Sequence, residues 1–405
     1  MQQDFSGFGS TAIHAGHRAD ANGAHVTPIY ATSTYLFNSG EQAARRFTGE
    51  EPGYIYGRYG SPTIDEAQDK IAALETWGAA DTSGRPLQAS AILHASGMGA
   101  ITTLMLACLQ KGDQVLSHYS LYGGTQELVD KVLPPLGIAP VIADLRDLNQ
   151  AEAAFKNNPA IKMLYLETPA NPTLQCVDIE ALTGLAKKHG AIVAADNTFA
   201  TPYLQRPFAF GVDFIVHSTT KFLNGHGTAI GGVLLGRDAE FMRTRATKWH
   251  RLLGASSNGF DAFLLVNGLK TLELRMERHC HNAMEVAHYL DAHPAVAKVN
   301  YLGLAHHPDY YTGAKQMQHP GAMLSFELKD GYNACLEFLQ RLRLCSHTVS
   351  LGTVDTLISH PASTTHMGIT EEQRKQYGIT PGLLRMNVGV ENIQDILGDL
   401  EQALR

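Results

Sequence analysis

Between about residues 88 and 240, short apolar runs alternate with segments of helical period. The runs are Ala91-Ile92-Leu93, Gln114-Val115-Leu116, Val141-Ile142-Ala143, Met163-Leu164-Tyr165-Leu166, Ile192-Val193-Ala194, Phe214-Ile215-Val216 and Gly232-Val233-Leu234-Leu235. Seven strands alternating with helices predict a mostly parallel α/β sheet. Upstream, residues 1–62 read as an irregular arm, broken by Pro28, Pro52 and Pro62 and by many glycines. So long a structureless stretch needs something to pack on, such as a neighbouring subunit. Ser61-Pro62 predicts a helix start, a capping hydroxyl with proline at the first helical position. The helix it opens carries Ile64, Ala67, Ile71 and Leu74 on one face. Beyond about 255 the pattern becomes one long amphipathic helix, Phe260 to Leu290, followed by a mixed α+β tail. The division expected is an arm over 1–62, an α/β domain over 63–250 and an α+β domain over 251–405.

Two of the runs end in chemistry. Lys221 follows Phe214-Ile215-Val216 in His217-Ser218-Thr219-Thr220-Lys221, so its ammonium is delivered to a strand end, with hydroxyls before it and glycines after. Such an amine, held in a polar cleft, is suited to forming a Schiff base, although most lysines are solvated loop residues. Ala191-Ile192-Val193-Ala194-Ala195-Asp196 is a continuous apolar run ending in an acid, the pattern of a parallel strand covered on both faces. Ligands of such sheets bind outside the carboxyl ends of the strands. There Asp196 could serve as partner to a pyridinium nitrogen, the arrangement of pyridoxal phosphate (PLP) chemistry, or simply cap a helix.

From Thr11-Ala12-Ile13-His14-Ala15-Gly16 to Leu384-Arg385-Met386-Asn387-Val388-Gly389, the chain resembles the trans-sulfuration (Cys/Met metabolism) family of PLP enzymes. The resemblance implies a PLP-dependent transferase-like fold of the aspartate aminotransferase type I kind, with a seven-stranded sheet and a smaller C-terminal domain. It implies that Lys221 carries the cofactor and that Asp196 meets its ring nitrogen. Gly97 and Met98, in the glycine-rich turn Ser96-Gly97-Met98-Gly99, match positions whose amides hold the phosphate, and Ser218 and Thr220 match its hydroxyl donors. Tyr56 and Arg58, in Tyr54-Ile55-Tyr56-Gly57-Arg58, match residues that reach the phosphate in the neighbouring subunit. Tyr122 matches the ring that stacks on the cofactor and gives a proton to the leaving group. Asn171 matches the partner of the cofactor's phenolic oxygen. Arg385 matches the clamp for the substrate α-carboxylate, with Ser350 beside it. The active site then requires a dimer, and the family usually builds homotetramers from two such pairs.

Composition agrees with an enzyme of this kind. A hydrophobic share of 44% and a charged share of 18% describe an ordinary globule, and a formal charge of −7 without a basic run argues against nucleic acid. His279-Cys280-His281 and His306-His307 lack zinc-ligand spacing, so no metal is expected. Cys108, Cys176, Cys280, Cys335 and Cys345 are odd in number and widely spaced, which points to a reduced, cytoplasmic protein. Met1-Gln2-Gln3-Asp4-Phe5-Ser6 has neither the basic region nor the apolar core of a signal peptide, and no stretch of about 18 apolar residues exists to span a membrane.

The pocket for the distal part of the substrate narrows the choice. Where family members acting on cystathionine place acids, this chain has Ile55 and Val349, and an ammonium buried there would be unpaired. Methionine γ-lyases carry cysteine where this chain has Gly124, and a Lys-Asp pair where it has His250 and Arg251. Gly124 is expected to leave room and His250 to add polarity for a larger polar leaving group. The favoured reading is γ-elimination on a γ-substituted L-amino acid, methionine-like or homoserine-derived such as canavanine. The alternative is γ-replacement by an O-acylhomoserine sulfhydrylase, and a PLP carrier without turnover is a third, weaker possibility.

Overall fold

The computed structural model describes residues 5–18, 20–81, 83–367 and 370–405, so Met1–Asp4, expected to carry no signal sequence, lie outside the described residues. Seven strands form the larger sheet: β1 (Ser90–His94), β2 (Gln114–His118), β3 (Ala139–Ala143), β4 (Ile161–Glu167), β5 (Ile192–Asp196), β6 (Phe214–His217) and β7 (Gly232–Gly236). Each contains one of the predicted runs. Their order is β1-β7-β6-β5-β4-β2-β3. Only β7 runs against its neighbours, while β2, β3, β4, β5 and β6 pair in parallel. The carboxyl ends of β1, β2, β4, β5 and β6 therefore share one edge of the sheet. Alternation along β4 shows why these runs are apolar throughout. Leu164 and Leu166 join the core on one face, and Met163 and Tyr165 join that on the other.

The second sheet has the order β10-β11-β12-β9-β8, from β8 (Val296–Asn300), β9 (Met323–Leu328), β10 (Ser346–His347), β11 (Leu357–Ser359) and β12 (Leu383–Asn387). It is antiparallel apart from the β10–β11 pair. One continuous core, including Ile71, Val193, Met276, Phe326 and Leu384, runs beneath both sheets. Each such side chain contributes roughly 1.5–3 kcal/mol by leaving water.

The arm is not structureless. It holds helix α1 (Phe8–His14) and helix α2 (Gly40–Thr48). Phe8 packs on the rings of Trp77 and Tyr203. Lys70 Nζ donates to the carbonyls of Ile13 and Ala15 at 2.9 and 2.7 Å, receiving the free carbonyl end of α1. Proline and glycine spacing concealed these helices because each is short and is stabilised by contacts distant in sequence or by its caps. Helix α3 (Pro62–Glu75) begins where predicted, with the Ser61 hydroxyl accepting from the Ile64 amide, and Ile64, Ala67, Ile71 and Leu74 are all buried.

The single helix expected from Phe260 to Leu290 is two, Gly259–Leu269 and Leu272–Ala292. A Cβ on Gly268 would lie 2.2 Å from the carbonyl oxygen of Asn224, so only glycine lets this helix touch the loop that follows Lys221. Buried Arg275 fixes the junction, donating to the carbonyls of Gly268 and Phe222, both at 2.7 Å, and to the Thr271 hydroxyl.

Candidate active site

Five strand ends and one loop of the second sheet converge on Lys221. Its Nζ donates to Ser350 Oγ at 3.2 Å. The Ser350 loop comes this close through Gly352, whose φ of +79° and lack of a side chain are both required: a Cβ there would lie 2.5 Å from the Phe222 nitrogen. Burial, and secondarily the neighbouring Arg385 cation, brings the Lys221 amine down from 10.5 to about 8. About a tenth of it is then free base at pH 7, far more than for an exposed lysine.

Arg385 lies on β12 and is buried. Its guanidinium donates to Asn171 Oδ1 at 3.1 Å and to the carbonyls of Val349 and Ser350 at 2.8 and 3.1 Å. Burial lowers it to about 10, so it stays charged. Asn171 belongs to Thr168-Pro169-Ala170-Asn171-Pro172, where both X–Pro bonds are cis. Lys221, Ser350, Val349, Arg385 and Asn171 therefore form one hydrogen-bonded group across the two sheets.

Asp196 ends β5. Its Oδ1 accepts from the Thr198 amide at 3.0 Å and the Thr198 hydroxyl at 2.5 Å, and its Oδ2 from the Tyr165 phenol at 3.4 Å. The Ser218 amide donates to that same Thr198 hydroxyl at 2.9 Å, which ties the acid to the Lys221 loop. Burial pushes the Asp196 carboxyl up. Among the described residues it has no salt-bridge partner, which leaves a half-buried acid lacking a cation.

The glycine-rich turn opens helix α4 (Gly97–Cys108). Ser96 Oγ accepts from the Gly99 amide at 3.0 Å, so the earlier amides of Gly97 and Met98 remain without helical acceptors. A Cβ on Gly97 would fall 2.9 Å from that of Ser218. The first turn of a twelve-residue helix thus faces the serine preceding Lys221, an arrangement suited to a phosphate. Thr220, by contrast, uses its hydroxyl internally, donating to the Gly231 carbonyl at 3.2 Å and accepting from the Gly231 amide at 3.0 Å.

Tyr122 begins the short helix Gly123–Glu127 and is 48% exposed. The room expected at Gly124 is filled by Tyr122 itself: a Cβ there would lie 2.7 Å from its ring and 3.0 Å from Met98 Sδ. His250 also departs from expectation. It turns inward and is buried, with Nε2 3.1 Å from the Leu93 carbonyl and its ring against His94, and burial lowers it to about 4. Its neighbour Arg251 lies over the Tyr59 ring instead. Arg58 donates to the Arg251 carbonyl at 2.7 Å and sits against Tyr56 and Tyr59. Among the described residues, Tyr56 and Arg58 share no hydrogen bond with the Lys221 group, and Ile55 is half-buried beside them. His360 is structural, bonded to Ser363 Oγ and the Pro381 carbonyl, both at 2.8 Å.

Sequence reasoning missed Glu167. It ends β4 directly opposite Asp196 and is 7% exposed, and its Oε2 accepts from the Tyr122 amide at 2.8 Å. Burial, then the facing Asp196, pushes its carboxyl well up, which favours the neutral acid. An acid at the end of the strand neighbouring that of Asp196 was the available signal.

Residues 9–405 match the description "Cys/Met metabolism PLP-dependent enzyme". The chain is 46% identical to an L-methionine gamma-lyase of Fusobacterium nucleatum subsp. nucleatum, over 405 residues covering 100% of this chain and 99% of that protein. It is 44% identical to an L-methionine gamma-lyase of Porphyromonas gingivalis, covering 98% and 97%. A cystathionine gamma synthase from Xanthomonas oryzae pv. oryzae, solved in complex with cystathionine, superposes with a TM-score of 0.90 at 38% identity, covering 98% and 97%.

Proposed function

Since the chain belongs to the Cys/Met metabolism family of PLP-dependent enzymes, we propose that it is a γ-lyase of a γ-substituted L-amino acid. It releases a 2-oxo acid, ammonia and the γ-substituent. The observation that carries this reading is full-length identity of 44–46% with L-methionine gamma-lyases, joined to a Lys221 amine held near neutrality beside a buried arginine. Methionine or a homoserine-derived analogue such as canavanine is the substrate class. The apolar Ile55 and Val349 disfavour cystathionine, whose second ammonium would meet no acid.

The residues present fit PLP. Lys221 would hold it by its amine, Asp196 would supply the missing ion pair to the ring nitrogen, and the Gly97 and Met98 amides with Ser218 would take the phosphate. Thr220 joins them only by exchanging its bond to Gly231. Tyr56 and Arg58 serve the partner subunit's site in a homotetramer of paired dimers; the exposed Leu36 before α2 and Phe47 on it support such burial by another copy. Bound PLP supplies an electron sink for the charge left when the substrate's Cα proton departs.

The chain's own residues do the rest. Arg385 holds the α-carboxylate and so orients the Cα–H bond. Lys221, about half of it free amine at pH 8, would take the Cα proton and, once that proton has left it, a Cβ proton. Tyr122 gives its phenolic proton to the departing γ atom. Asn171, bonded to Arg385, couples cofactor and substrate positions.

The test is 2-oxobutanoate release from methionine, canavanine and O-acetylhomoserine, with and without sulfide. Release without sulfide is the expected result. Turnover that requires sulfide and yields homocysteine overturns elimination in favour of γ-replacement.

A further inference from the structure

Glu167 touches two of the loops that the reaction needs, yet no step above uses it. Its side chain is enclosed at the end of β4. It accepts from the Tyr122 amide at 2.8 Å, and the Asn171 backbone amide lies near enough to act on the same carboxyl. The first amide begins the turn that carries the phenol, and the second belongs to the residue that bonds Arg385. These two segments approach the sheet edge from β2 and β4 respectively, and the Ser120 hydroxyl, donating to the Asn171 carbonyl at 3.3 Å, is a further tie between them.

We propose that Glu167 is a positioning residue that fixes the Tyr122 backbone relative to the Asn171 turn through the hydrogen bond it accepts from the Tyr122 amide. In this role it acts as a neutral acid and an acceptor, not as a charge. The inference rests on the reading of Tyr122 as the proton donor. Across the strands it faces the Asp196 carboxyl; the other ionisable groups around them are Tyr165 on β4 and His217 on β6. An anion at Glu167 would have no cation to meet it, whereas its neutral form keeps a carbonyl oxygen for the Tyr122 amide.

Glutamine is close in shape to a protonated glutamate and retains that oxygen; alanine does not. The holoenzymes of Glu167→Gln and Glu167→Ala should therefore separate. E167Q is expected to keep kcat within about threefold of wild type. E167A is expected to lose about tenfold or more in kcat with KM changed far less, because a phenol displaced by a fraction of an ångström transfers its proton poorly. The induced circular dichroism of bound PLP should change in E167A and not in E167Q. If E167Q is as impaired as E167A, or if E167A matches wild type per bound cofactor, the inference is overturned. If both variants lose only thermal stability, with kcat and dichroism intact, it is likewise overturned. These outcomes leave the γ-lyase reading standing, since that reading fails only if the wild-type enzyme releases no keto acid.

Discussion

Replacing Lys221 by methionine should make the cofactor-free protein more stable at pH 7 while abolishing turnover. The native fold holds this amine at about 8, against 10.5 when exposed, chiefly through burial and then through Arg385. At about 1.4 kcal/mol per unit, the protonated amine opposes folding by roughly 3 kcal/mol. Methionine has a similar reach and no charge, and sacrifices only the bond to Ser350 Oγ, worth about 1 kcal/mol. A net gain of about 2 kcal/mol remains. The sign follows from proton binding. Between about pH 8 and 10.5 the unfolded chain binds more protons at this site than the native one. The opposing energy is thus complete below about pH 8 and fades as pH rises towards 10.5. Urea unfolding of cofactor-stripped wild type and K221M, compared at pH 7 and pH 10, measures it. A variant no more stable than wild type at pH 7, or an advantage that does not shrink with pH, would refute the reasoning.

Other substitutions probe separate parts of the site. Tyr122→Phe keeps the ring but not the proton, so steady-state assays should show kcat reduced about 10²- to 10⁴-fold with a smaller change in KM. Gly97→Ala places a Cβ 2.9 Å from that of Ser218, and equilibrium dialysis should show PLP bound about tenfold or more weakly as the cradle is forced open. Introducing acids at Ile55 and Val349 together should raise kcat/KM for cystathionine relative to methionine, measured by competition; an unchanged ratio would show that these positions do not face the distal ammonium.

Much of the fold was legible because strand chemistry is local. Each of the seven apolar runs is a strand, since a parallel sheet covered on both faces demands side chains that are apolar at successive positions. The start of α3 was legible for a similar reason: a serine hydroxyl and a proline ring act within one turn. The helices of the arm were not, because their stability comes from Trp77, Tyr203 and Lys70, far along the chain, or from a surface cap at Ser39. The packing at the junction after Leu269 was hidden for the same reason, since its partners are Asn224 and Phe222. The inward turn of His250 likewise arises from the Leu93 carbonyl, 157 residues away, which no periodicity reveals.

The sequence by itself determined which residues could do chemistry: an amine and an acid at successive strand ends, a glycine-rich helix start, and an arginine in an apolar segment. Backbone period and side-chain type suffice for that, because both are properties of neighbouring residues. Only the tertiary structure decided how these groups are charged and coupled. It brought Arg385 to Asn171 from 214 residues away, seated the Ser350 loop against Lys221 through Gly352, and set Glu167 opposite Asp196. Proton affinity depends on burial and on nearby charge, and both arise only when distant segments exclude water together.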